Sequence, residues 1–81
     1  MKPVTIYTTV TCVYCKMAKE FFQKNNVQFQ EFDVGTDLVK REEMIGKSGQ
    51  MGVPVIMVGE DMVVGFNKSR LTELLGLHVV A

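Results

Sequence analysis

The sequence predicts an α/β fold in which a four-stranded mixed sheet is flanked by helices, and two observations support this. A β-branched, alternating segment is followed by apolar residues at helical spacing and then by a second strand-like segment. Further along, two short apolar runs are joined by a glycine-containing turn, which is typical of an antiparallel hairpin. Of the 81 residues, 47% are hydrophobic, which suffices for one core, and we assign residues 1–81 to a single domain.

The first half of the chain begins with a predicted parallel βαβ unit. Strand one is expected at residues 4–8, the first helix at 13–24 and strand two at 27–34. Because connections of this kind are right-handed crossovers, the two strands should be parallel neighbours. Asn25 and Asn26 should end the helix, since asparagine tolerates the left-handed conformation of a helix C-terminus.

The second half of the chain should contain two more helices and a hairpin. Thr36 or Asp37 is expected to cap a helix that runs to about residue 46. Pro54 suits the first residue of a strand, because no ladder hydrogen bond is required of it there. The apolar residues expected to pack the second helix inward are Leu38, Val39, Met44 and Ile45. The remaining predicted elements are strands over 55–58 and 62–64, a helix over 67–75 that ends at Gly76, and a tail over 78–81.

Both cysteines of the chain, Cys12 and Cys15, lie where the first strand should pass into the first helix. Residues three apart on a helix are neighbours, so this pair can close a disulfide without rearranging the backbone. With Thr11 as the helix N-cap, Cys12 would lie in the first turn, where unpaired backbone N–H groups favour a thiolate. We therefore assign Cys12 as the nucleophile and Cys15 as the resolving thiol.

Composition excludes several other classes of function. Nine basic and nine acidic side chains cancel, so there is no basic surface for nucleic acid or an anionic membrane. No apolar run approaches the length of a membrane span, and no signal-peptide pattern is present, so we expect a cytoplasmic protein. We also expect it to be a monomer. A disulfide loop this short would stabilise the fold little, which favours a catalytic or metal-binding role for the cysteines. We expect no bound metal, because two cysteines and one remote histidine are too few for a zinc site; metal or iron–sulfur carriage remains the alternative.

Three landmarks in the predicted order resemble the glutaredoxin family of the thioredoxin superfamily. They are Thr11-Cys12-Val13-Tyr14-Cys15, Gly52-Val53-Pro54 and Val64-Gly65-Phe66. The resemblance implies a thioredoxin fold and a thiol-disulfide oxidoreductase that reduces protein disulfides through its dithiol. It also implies a cis peptide bond before Pro54 and a backbone at Val53 that pairs with an extended substrate. The substrate-binding residues it implies are Thr11, Val13, Tyr14, Val53, Pro54, Gly65 and Phe66.

Within that family, the chain departs from the pattern of the members that use glutathione. Those members typically carry a lysine or arginine ahead of the first cysteine and a Gly-Gly followed by an aspartate before the last helix. Here Thr9, Val10 and Thr11 precede Cys12, and Phe66 replaces the second glycine. Gly-Phe at this point looks like the NrdH-redoxins, which donate electrons to ribonucleotide reductase. The resemblance thus implies electrons from NADPH through a thioredoxin-reductase-type flavoenzyme, with no bound cofactor, and leaves glutathione as the alternative reductant.

Overall fold

The computed structural model describes residues 2–77, which form a four-stranded mixed sheet and three helices. The elements in chain order are β1 (Val4–Thr8), α1 (Val13–Lys24), β2 (Gln30–Asp33), α2 (Leu38–Ser48), β3 (Val55–Val58), β4 (Asp61–Val64) and α3 (Lys68–Leu75). This confirms the predicted fold class and order of elements. The tail predicted at residues 78–81 lies outside the described residues. Within residues 2–77, no helix has the length and apolar character needed to cross a membrane.

The sheet has the strand order β2-β1-β3-β4, which places β1 in its interior. β1 is parallel to β2 and antiparallel to β3, and β3 and β4 form the predicted antiparallel hairpin. Because side chains alternate along a strand, Ile6 and Tyr7 point to opposite faces of the sheet. Ile6 packs in a cluster with Phe22 of α1 and Leu71 of α3, whereas Tyr7 packs in a cluster with Met44 of α2. Both faces of the sheet are therefore covered, and the C-terminal end of β1 is held rigidly where the chain turns into α1.

Two aromatic residues near β2 reflect this double-sided burial. Phe29, just before the strand, packs on Phe22 of α1 with ring centroids 5.3 Å apart. Phe32, within the strand, packs on Tyr7 on the opposite face at 5.9 Å. The two residues are three apart on an extended chain, so their side chains point to opposite faces of the sheet. Each ring therefore packs into a different hydrophobic cluster.

Strand two begins later than the sequence predicts. The alternating pattern indicates a strand from residue 27, but the N–H of Val27 donates to Phe22 O at 2.8 Å and completes the exit from α1. Asn25 is the C-cap, and Asn26 adopts a left-handed φ of 55°, so the predicted asparagine terminus is confirmed. The amide of Val27 is thus used in ending the helix, and the pairing with β1 is made by Gln30–Asp33.

The second helix is capped as expected, but it is longer than the sequence predicts and its first turn is more exposed. The side chain of Asp37 accepts the N–H of Lys40 at 3.1 Å, and the helix continues to Ser48 before Gly49 ends it at a φ of 71°. Met44 and Ile45 pack against the sheet as predicted. The inward packing predicted for Leu38 and Val39 is wrong, because these residues are 64% and 77% exposed in the first turn of α2.

Candidate active site

The turn from β1 into α1 presents the first cysteine at the surface. The N–H of Cys12 donates to Thr9 O at 3.3 Å, which closes a tight turn directly after the buried Thr8. Val10 at the tip of this turn is 89% exposed. The turn is thus short and hydrogen-bonded, and it fixes Cys12 relative to the central strand.

Cys12, not Thr11, is the N-cap of α1, so the predicted capping role of Thr11 is wrong. The sulfur of Cys12 accepts the backbone N–H of Cys15 at 3.1 Å, and Cys12 has the extended backbone typical of an N-cap, with φ −85° and ψ 113°. The sulfur takes the place that a threonine oxygen was expected to fill, because it satisfies one of the unpaired N–H groups of the first turn. A backbone amide aimed at the sulfur supports the negative charge that Cys12 carries before it attacks and regains when it is displaced as a leaving group.

A second contact joins Cys12 to the loop before β3. The Cys12 thiol donates to Val53 O at a sulfur–oxygen distance of 3.8 Å. The Val53-Pro54 peptide bond is cis, as the resemblance implies. Pro54 O accepts the N–H of Gly65 at 2.7 Å, and Gly65 has a φ of 85°, which favours glycine. The structure thus brings together Cys12, Val53, Pro54 and Gly65, four of the residues singled out in the sequence.

Cys15 lies behind Cys12 and is 1% exposed. Burial is the main cause that raises the pKa of the Cys15 thiol to about 12, and the hydrogen bond and negative charge of Cys12 raise it further. A hydrogen bond with the backbone of Thr9 and the charge of Lys19 act in the opposite direction. Cys15 is therefore held protonated in the reduced protein, and Cys12, which is partly exposed, is the thiol that a partner can reach.

The remaining predicted substrate residues lie at the start of α1 and in the segment between β4 and α3. Thr11 is exposed, and Val13 and Tyr14 in the first turn of α1 are 68% and 62% exposed. Phe66 is half-buried and packs edge-on against Phe21 of α1, with ring centroids 5.8 Å apart. It belongs to a separate groove of about 240 Å³. That groove is lined by Met17, Glu20, Phe21, Lys24, Phe66 and Lys68.

A polar network beside the cysteines was not anticipated from the sequence. The buried Thr8 hydroxyl donates to Glu31 Oε2 at 2.7 Å, and Lys19 Nζ lies 2.9 Å from the same oxygen. The hydrogen bond from Lys19 is the main cause that holds the Glu31 pKa below its usual range, and the Thr8 bond adds to it. These contacts depend on the pairing of β1 with β2 and on the position of α1 over both, and neither is encoded in local sequence pattern.

The three residues of this network line a groove of about 230 Å³ that reaches Cys12. The groove is lined by Thr8, Thr9, Val10, Cys12, Lys16, Lys19, Glu31 and Asp33. Over residues 2–77, no group of three or more histidine, cysteine, aspartate or glutamate side chains is arranged to hold a metal ion.

Known proteins match this arrangement over nearly the whole chain. Residues 4–63 match the family model for glutaredoxin. An uncharacterized glutaredoxin-like 8.6 kDa protein in the rubredoxin operon of Clostridium pasteurianum is 42% identical over 72 residues, covering 89% of this chain and 96% of that protein. Glutaredoxin 3 of Escherichia coli strain K12 is 42% identical over 65 residues, covering 80% and 78% of the two chains. The crystal structure of glutaredoxin from Archaeoglobus fulgidus is 30% identical with a TM-score of 0.83, covering 93% and 87%. The chain therefore belongs to the glutaredoxin family of the thioredoxin superfamily and is a thiol-disulfide oxidoreductase.

Proposed function

We propose that this protein is a dithiol electron carrier that reduces disulfides of other proteins, with ribonucleotide reductase as one target, and that it works as a cytoplasmic monomer. The observation that carries the proposal is the inequality of the two thiols. Cys12 is partly exposed and hydrogen-bonded by the helix N-terminus, whereas Cys15 is buried with its pKa raised to about 12. One thiol is placed to attack and the other to resolve.

The reaction follows from this geometry in two exchanges. The Cys12 thiolate attacks one sulfur of the partner disulfide, forming a mixed disulfide and releasing the other partner sulfur as a thiolate that takes up a proton. Cys12 then no longer carries a negative charge, so two of the causes that hold Cys15 protonated are lost. Cys15 gives up its proton and attacks Cys12, releasing the second partner thiol. Two electrons pass to the partner, and the protein is left with a Cys12–Cys15 disulfide.

The backbone at Val53 is suited to align the partner for the first exchange. Thiol-disulfide exchange requires the three sulfurs to be nearly in line, and a short antiparallel pairing with an extended segment provides that alignment. The carbonyl of Val53 lies within hydrogen-bonding distance of the Cys12 sulfur, and Gly65 holds the neighbouring Pro54 carbonyl. Exposed Val13 and Tyr14, which follow Cys12 in the first turn of α1, offer apolar contact to a partner protein.

We further propose that a thioredoxin-reductase-type flavoenzyme with NADPH regenerates the dithiol more efficiently than glutathione does. Glutathione presents two carboxylates and an amine, and a missing charge-assisted hydrogen bond costs about 1.5–3 kcal/mol. Thr9, Val10 and Thr11 carry no charge, and Phe66 places an apolar ring where a second glycine would leave the backbone open. The loss of two such contacts would weaken glutathione binding by more than about a hundredfold.

One observation favours the alternative reductant. Lys24 and Lys68 line the groove that contains Phe66, and either ammonium group could hold a carboxylate of glutathione. In that case the protein would be a glutathione-dependent glutaredoxin, although its dithiol chemistry would be the same.

A side-by-side assay separates the two reductants. The oxidised protein is supplied with NADPH and a thioredoxin reductase in one series, and with NADPH, glutathione reductase and millimolar glutathione in the other. Ribonucleotide reduction is the downstream readout. We expect faster turnover with the flavoenzyme, and efficient turnover with glutathione alone would overturn the proposal.

A variant pair sharpens this comparison. Phe66→Gly should raise the glutathione-coupled rate relative to the flavoenzyme-coupled rate, because it removes the ring and restores the second glycine. Met62→Ala removes an apolar side chain that is 39% exposed on β4 and serves as the matched control. An equal change of both rates in the Phe66 variant would show that the ring does not select the reductant.

A further inference from the structure

The groove that reaches Cys12 contains four charged side chains, two of which neutralise each other. Lys19 and Glu31 form an ion pair at 2.9 Å, supported by Thr8. The other two, Lys16 and Asp33, form no ion pair within residues 2–77. The groove thus offers one unpaired cation and one unpaired anion next to the attacking sulfur.

Lys16 is placed to reach a group attached to the Cys12 sulfur. It follows Cys12 by four residues, its N–H donates to Cys12 O at 3.2 Å, and both side chains line the same groove. The side chain of Lys16 is exposed and free to swing over the groove.

Asp33 lines the same groove at the C-terminal end of β2. Its Oδ1 accepts the N–H of Gly35 at 2.9 Å, which fixes the carboxylate in an Asx-type turn. This bond leaves the second carboxylate oxygen available to an incoming donor. A cation and an anion that line one groove complement a ligand that carries both charges close together.

We propose that this groove is a binding site for the α-amino-acid head of small disulfides such as cystine, with Lys16 holding the carboxylate and Asp33 the ammonium group. In a cystine half, the α-carbon is two bonds from the sulfur, so both charged groups fall within the groove once the sulfur reaches Cys12. The thiolate of Cys12 attacks one sulfur, one cysteine leaves and takes up a proton, and Cys15 then loses its proton and displaces the second. The dithiol supplies both electrons, and two cysteine thiols are formed.

Four small disulfides that carry different charged groups test the site, and each rate constant is expressed relative to that of a free thiol with the same disulfide, because the leaving-group pKa differs among them. Cystine carries both groups, cystamine the ammonium alone, 3,3′-dithiodipropionate the carboxylate alone, and bis(2-hydroxyethyl) disulfide neither. The protein is reduced chemically, freed of reductant and mixed with each disulfide under single-turnover conditions. The formal net charge of the chain is zero, so bulk attraction does not favour one ligand over another. We expect the second-order rate constant to be highest for cystine.

Two variants test which side chain binds the carboxylate of the ligand and which binds its ammonium group. Lys16→Met should slow the reaction with cystine and dithiodipropionate by about two- to fivefold, the effect of one exposed ion pair, and leave cystamine unchanged. Asp33→Asn, which keeps the oxygen that binds Gly35, should slow cystine and cystamine and leave dithiodipropionate unchanged. Lys47→Met is the matched control, because Lys47 is a partly exposed lysine of α2 that lines neither this groove nor the groove of Phe66.

This site uses the nucleophile of the proposed function, and the experiment distinguishes the failure of each. If all four disulfides react at equal rates, or if Lys16→Met slows all four alike, the groove does not read the head group and the inference is overturned, whereas the dithiol chemistry stands. If none of the disulfides oxidises the protein, the proposed function fails as well. A selective loss in each variant supports the site.

Discussion

The sharpest test of the reduced site is the ionisation of Cys15 with and without its neighbour. The Cys15 pKa is raised from an ordinary value of 9.0 to about 12, with burial as the largest cause and Cys12 as the next. At pH 8, this lowers the ionised fraction from about one in ten to about one in ten thousand. Cys12→Ser removes the charge that opposes ionisation but leaves Cys15 buried, so the Cys15 pKa should fall in this variant and still remain above its ordinary value.

Pulsed alkylation with iodoacetamide, followed by peptide mass spectrometry, measures the ionisation of Cys15 separately from that of Cys12. Because only the thiolate reacts, the rate at Cys15 should rise about tenfold per pH unit and show no plateau up to pH 10 in the wild-type protein. In Cys12→Ser, the curve should bend at a lower pH. The position of the bend is independent of how well the reagent reaches the buried sulfur. A plateau below pH 10 in the wild-type protein, or an identical curve in the variant, would refute the reasoning.

Further predictions concern both the chemistry and the fold. Cys12→Ser should abolish attack on a model disulfide, whereas Cys15→Ser should accumulate a mixed disulfide in mass spectra; trapping through Cys15 in the first variant would reverse the roles. Glu31→Gln should lower the free energy of unfolding by about 1 kcal/mol or less at neutral pH. Since the folded Glu31 pKa lies below 4.5, this difference should shrink as the pH falls below that value, and a constant difference in chemical denaturation would contradict the assignment. Gly65→Ala should cost about 1–2 kcal/mol, because the φ of 85° disfavours a β-carbon although nothing lies within 4 Å of it; an unchanged thermal midpoint would argue against this. Asn67→Ala should cost about 1 kcal/mol by urea unfolding through loss of the α3 cap, and Asn67→Asp should retain the stability.

Much of the fold could be predicted because its local signals agree with its tertiary contacts. The apolar spacing of α1 marks the residues that are buried, and glycine or asparagine ends each helix where a cap is found. The cis bond before Pro54 was implied only by family resemblance, since most X-Pro bonds are trans. A single sequence is enough to predict where reactive residues lie at a turn. It is also enough to predict where glycine or proline ends a helix or begins a strand.

The errors arise where a local preference competes with a contact that is distant or unusual. Threonine is a better cap than cysteine on average, but the turn at Thr9 aims the sulfur of Cys12 at the first free amide. Val27 has a strand-forming side chain, yet its amide is used to close α1. The pairing of Lys19 and Glu31 requires α1 to lie over β2, so nothing in the spacing of these two residues points to it.

The hydrogen bond from the Cys15 amide to the Cys12 sulfur has a consequence for how this site tolerates change. The donor belongs to the main chain, so nineteen of the twenty amino acids at position 15 would still supply it, and only proline would remove it. The hydrogen bond to the Cys12 sulfur therefore does not require a second thiol at position 15. A chain that lost Cys15 by mutation would keep an attacking sulfur with its amide partner, and such a chain could evolve from a two-thiol to a one-thiol enzyme in a single step.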